Sequence, residues 1–120
     1  MSLGFKKLEV WKLAMRLTDI VYDITELFPA SQRFGLTAQL QRSAVSVPSN
    51  IAEGAARAGK KEFIHFLYIA KGSLAELETQ LIIAQTRKYV KEEAMADVLP
   101  LIESVNNMIG GLIKSLNPKP

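Results

Sequence analysis

Arg42-Ser43-Ala44-Val45-Ser46-Val47-Pro48-Ser49-Asn50-Ile51-Ala52-Glu53-Gly54 holds a proline between two runs of helical periodicity. A proline in a helix interior removes one backbone hydrogen bond and clashes with the carbonyl four residues earlier, here that of Ala44. One outcome is a helix that stops at Val47 and a second that restarts at Pro48. The side-chain pattern favours continuity. Gln39, Arg42, Ser46, Ser49 and Glu53 form a polar line, and Leu40, Ala44, Val47 and Ile51 an apolar one. The polar line passes the proline in phase. The expectation is one helix from about Leu36 to Ala55, kinked near Ala44–Pro48, with Ser43, Ser46 and Ser49 as donors to the freed carbonyls. Asn50 and Glu53 share a face, and Glu53 precedes Arg57 at ion-pair spacing. Two readings follow. The face with Asn50 and Glu53 is a ligand or partner site, or it satisfies the kink while Glu53 pins the next loop.

The flanking sequence supplies three more helices. From about Lys7 to Leu27, the polar residues Lys12, Arg16, Asp19, Asp23 and Glu26 recur every three or four positions. Two apolar lines accompany them. Leu13, Leu17, Ile20, Ile24 and Leu27 make one, and Trp11, Ala14, Thr18, Val21 and Thr25 the other. Two lines exceed what one bundle seam requires, so this helix is expected to face a neighbour as well as its own core. Phe28-Pro29 ends it. Beyond the small, flexible Gly54–Gly59, a helix from near Lys60 to about Arg87 carries Phe63, Phe66, Leu67, Ala70, Leu74, Leu77, Leu81 and Ala84 on one side. Gly72 lies inside it at a cost of about 1 kcal/mol relative to alanine, which close helix contact at Gly72 and Ser73 would offset. The last helix, about Glu92 to Leu116, contains Pro100. No alternating β-branched run presses for a sheet. Four long helices with short loops read as an all-α, up-down-up-down four-helix bundle in a single domain.

Composition narrows the chemistry. The chain has 120 residues, no cysteine and one histidine, which removes disulfides, thiolate nucleophiles, cysteine-ligated zinc and iron–sulfur clusters. No stretch is long and apolar enough to span a membrane, and the start lacks the apolar run of a signal peptide. A soluble, cytoplasmic protein is expected. His65 sits between Ile64 and Phe66 and reads as a packed histidine at a helix contact rather than a catalytic base. Glu62 and His65 form one Glu-x-x-His, where a di-iron bundle needs two with further carboxylates. Neither an enzyme nor a metal or cofactor site is expected. Lys6, Lys7, Arg57, Lys60 and Lys61 fall at one end of an up-down bundle and are the candidate nucleic-acid contacts, against a plain solvated-loop reading. Net charge is only +3. Trp11, among core-type neighbours, reads as packing rather than base stacking.

Four stretches carry a resemblance over nearly the whole chain. They are FKKLEVWKLA from Phe5, Leu27-Phe28-Pro29, FGLTAQLQRSAVSVPSNIAEG from Phe34 and FIHFLYIAKGSLAELET from Phe63. The pairing of Pro48, Asn50, Glu53 and Gly54 with Gly72, Ser73 and Glu76 is the most specific part, and Arg42 belongs to the same motif. The chain resembles the bacterial family encoded in intervening sequences of 23S ribosomal RNA genes, also labelled S23 ribosomal protein. The resemblance implies a left-handed bundle that assembles as a ring-like homopentamer. It also implies RNA or DNA as a partner, with another protein as the alternative, and no enzymatic activity. The fold is similar to that of the pentameric accessory protein of diversity-generating retroelements. Gly59 stands where the family commonly has serine, so a helix cap is lost before Lys60.

Overall fold

A computed structural model describes residues 4–117; the Pro-rich tail expected to fray, beyond Asn117, lies outside the described residues. Four α-helices follow in order: α1 Glu9–Thr25, α2 Leu36–Ala56, α3 Lys60–Thr86 and α4 Glu92–Leu116. Short 3-10 turns, Gly4–Lys7 and Ala30–Gln32, precede α1 and α2, and there is no strand among the described residues.

α1 is shorter than its periodicity predicts. Leu8 is extended (φ −71°, ψ 125°), and its N–H donates to the Phe5 carbonyl at 3.0 Å, closing the turn before the helix. At the other end the Leu27 and Phe28 N–H groups reach back only three residues, to Ile24 and Thr25, a 3-10 tightening ahead of Pro29. Lys6 and Lys7 therefore sit on the entering turn, not on the first helix. Leu27, placed by the pattern on an apolar line, is 80% exposed beyond the helix end.

The contacts between helices fix the topology. Thr18 meets Ala44 and Thr25 meets Gln41, so α1 and α2 run antiparallel. Ser43 meets Gln80, and Gly54 faces Phe63 and Phe66, so α2 and α3 run antiparallel. Lys71 meets Asn106 while Glu78 shares a groove with Leu99 and Pro100, so α4 reverses again. α1 also packs on α4, and the two diagonal pairs make no close approach. The result is an up-down-up-down square. Its interior holds the predicted lines: Leu40, Ala44, Val47 and Ile51 of α2 are fully buried, as are Leu67, Ala70, Leu77, Leu81 and Ala84 of α3. Most of both α1 lines is used inside the bundle, with Ala14, Leu17, Val21, Ile24 and Thr25 buried.

α2 passes through Pro48 as one helix. The carbonyl that proline orphans, Ala44 O, is served from outside the helix. The Thr18 hydroxyl lies 3.1 Å from it and 2.9 Å from its own Ala14 carbonyl, bridging the two. The expected donors were the α2 serines. Ser43 and Ser46 engage Gln80 and Ser73 of α3 instead, and the hydroxyl at Ala44 O comes from α1. α3 ends in a left-handed cap: Lys88 has φ 67°, its N–H reaches Gln85 O, and the Tyr89 N–H reaches Ala84 O, both at 2.8 Å.

Candidate functional site

The motif residues divide into three local arrangements. The first is a corner between α2 and α3. Gly54 is buried, and a Cβ there would stand 2.8 Å from the Phe66 Cβ and 3.0 Å from Phe63 Cδ1. Only glycine lets α3 pass this close. Glu53 accepts a 2.8 Å hydrogen bond from the Arg57 guanidinium, and that guanidinium lies over the Phe66 ring, 5.0 Å from its centroid. The hydrogen bond to Glu53 holds the Arg57 pKa above its ordinary value, with Glu53 and Glu62 adding electrostatic support against some desolvation. Glu53 thus pins the start of the loop, as one of the two sequence readings holds.

The second arrangement is a polar seam higher on the same pair of helices. Ser46 Oγ and Ser73 Oγ are 2.7 Å apart, and the Asn50 amide donates to Ser46 O at 2.8 Å and to Ser46 Oγ at 2.9 Å. Buried Ser73 also donates to Ile69 O. Buried Ser43 donates to Gln80 Oε1 at 2.9 Å. Exposed Arg42 and Glu76 flank this seam in a shallow groove of about 480 Å³. No buried side-chain polar atom among the described residues lacks a partner. Asn50 and Glu53 share a helix face but engage different partners, so they do not form one joint site. The seam is self-satisfied: its hydroxyls and amides are engaged within the protein.

The third is the end carrying the cations. Lys6 and Lys7 on the entering turn and Lys60 and Lys61 in the first turn of α3 are all exposed. The antiparallel topology brings them to the same end of the bundle. Lys114, in the last turn of α4, joins them. Among the described residues, Arg57 with Glu53 and Lys12 with Glu9 are the ion pairs, so the other lysines are unpaired with described carboxylates. Arg57 is the exception in the candidate set, already turned to Glu53 and Phe66.

Three expectations need correction. Gly72 is exposed, and nothing lies within 4 Å of where its Cβ would be, so it does not admit a neighbouring helix of this chain. The close approach is at Gly54 instead, because Gly72 is turned outward while Ser73 faces α2. His65 is exposed, its ring edge on Phe66, and is not packed at a helix contact. The donor to Ala44 O is Thr18. Trp11 is half-buried, edge-on to Phe5 at 5.2 Å, in line with a packing role. Pro48 is buried. Thr18, Gln80 and Lys114 were missed by the sequence reading. For Thr18 and Gln80 the signal exists only once helices are paired. Lys114 was legible from its place in the last turn of α4.

Among the described residues, no group of three or more His, Asp or Glu could hold a metal, and no helix is long and apolar enough to cross a membrane. Fold and site together define a small antiparallel helical bundle with a polar seam between its central helices and a cationic end. Residues 6–111 match the 23S rRNA-intervening sequence protein family, and the chain belongs to it. A crystal structure of a protein of unknown function from the S23 ribosomal protein family of Bacteroides thetaiotaomicron has the same fold. Its TM-score is 0.81 at 22% identity, covering 88% of this chain and 98% of that one. No curated protein sequence matches the chain.

Proposed function

We propose that this chain is a non-enzymatic, cytoplasmic bundle protein that self-associates and binds RNA through its cationic end. The observation that carries the reading is the placement of Lys6, Lys7, Lys60 and Lys61 at one end, exposed and unpaired with described carboxylates. Phosphate contacts add with each neutralised charge, so a modest +3 per chain matters through repetition. In the left-handed bundle and five-copy ring expected for the family, the assembly carries about +15. The cations lie on exposed turns without a groove-reading helix or aromatic platform, so binding is to the phosphate backbone and carries no sequence preference.

The test compares the parent with a variant in which Lys6, Lys7, Lys60 and Lys61 are changed to Glu, on structured RNA and on duplex DNA at two salt concentrations. The parent is expected to bind with an affinity that falls steeply with salt, and the variant to lose at least about tenfold. Equal retention of both proteins, or of neither, overturns the reading. A second reading, a protein adaptor, is favoured by Leu27 and Phe34 at the opposite end, 80% and 91% exposed. Recovery of a protein partner that the Phe34→Ser variant fails to hold, with no RNA retained, would favour it.

A further inference from the structure

Seven of the nine large hydrophobic side chains that stand exposed among the described residues gather into two lateral patches. Met15, Tyr22 and Val45 line a groove between α1 and α2, and Tyr68, Ile69, Ile82 and Ile83 stud the outer face of α3. Single exposed hydrophobics are ordinary, whereas clusters mark contact surfaces. The two patches differ in shape. The first is concave: two adjoining hollows of about 620 and 360 Å³ share Met15, Thr18 and Val45 and run from Trp11 to Tyr22. At 1.5 Å per residue that is about 17 Å of groove. The second is a ridge of about 22 Å from Tyr68 to Ile83. Its middle is pared down at Gly72 and Ala75, both exposed.

Gly72 leaves the middle of the ridge open, as Gly111 does on α4. An exposed helical glycine costs about 1 kcal/mol against alanine, and nothing within this chain needs the space it leaves. Charge matches shape. Glu76 stands on the ridge, Lys71 and Glu78 line its flank toward α4, and the groove wall carries Arg16, beside Asp19, in no ion pair among the described residues. We infer that the outer face of α3 docks into the α1–α2 groove of a second copy of this chain. Ridge and groove lie on different sides of the bundle. One two-fold contact cannot bury both, but a head-to-tail contact does, and its repetition closes a ring or extends a filament. The inference rests on the self-association proposed above and adds the surfaces that mediate it.

Two variants separate the possibilities. Gly72→Arg blocks the ridge and meets open space in its own fold. Val45→Arg blocks the groove at a position 40% exposed. Helix content by circular dichroism verifies folding, and light scattering gives the mass. The expected result is an assembled parent, two variants that are each monomeric, and a 1:1 dimer when they are mixed, because each variant keeps the face the other lost. A parent that assembles while both variants keep its mass overturns the docking and leaves self-association standing. Variants that are monomeric and stay so on mixing overturn the head-to-tail contact. A monomeric parent overturns both.

Discussion

Gly54 and Gly59 bracket one connection and answer to different constraints. At Gly54 a methyl group would overlap the Phe66 Cβ, a rigid neighbour beside the backbone. Gly54→Ala is therefore expected to cost about 1–3 kcal/mol, the range for overpacking a tight contact. Gly59 caps α3 with φ −130° and ψ 154°, makes no side-chain hydrogen bond and has nothing within 4 Å of its Cβ position. A serine hydroxyl there can accept from the first turn of α3, and the unfolded chain loses freedom. Gly59→Ser is expected to gain about 0.5 kcal/mol, seen as a shift of about 3 °C in melting temperature. Urea unfolding of the two variants beside the parent measures both. If Gly54→Ala proves neutral, the close passage of α3 over Gly54 is wrong.

Pro48 shows how much of a helix is decided by its neighbour. The phase of the polar line across the proline was enough to read one helix, and α2 is one helix. The partner of the orphaned Ala44 carbonyl was not legible, because it is a Thr18 hydroxyl on α1 and helix pairing is not written in periodicity. The same limit explains Gly72. Its helical position was readable from sequence, but which side faced a neighbour depended on where α2 and α4 lie. The burial lines of α2 and α3 were readable because each repeats a hydrophobic period over about three turns or more. A double-mutant cycle tests the Thr18–Pro48 link. Thr18→Val removes the donor and is expected to cost about 1–3 kcal/mol by leaving Ala44 O unsatisfied. In the Pro48→Ala background the restored N–H serves that carbonyl. The same change should then cost less by about 1 kcal/mol. Additive effects would show that Thr18 acts through packing alone.

The whole molecule is a slab, 45 × 33 × 20 Å, with apolar flanks and a cationic end. Those features are coupled if the flanks build the assembly. Docking copies side by side with their long axes aligned brings the lysine-bearing ends to one rim, and a single RNA can then span several of them. The slope of log affinity against log salt counts the phosphates neutralised, at about −0.7 per contact on a single strand. Lys6, Lys7, Lys60 and Lys61 of one copy would together give about −3. The assembled parent is expected to give a steeper slope on an unstructured oligonucleotide long enough to cross two ends. The monomeric Gly72→Arg variant keeps all four lysines and adds a cation on α3, which biases its slope toward the steep side. A shallower slope in that variant is therefore a stringent result, and it is the expected one. Equal slopes would mean that the ends act singly, and that binding and assembly are separate properties of the fold.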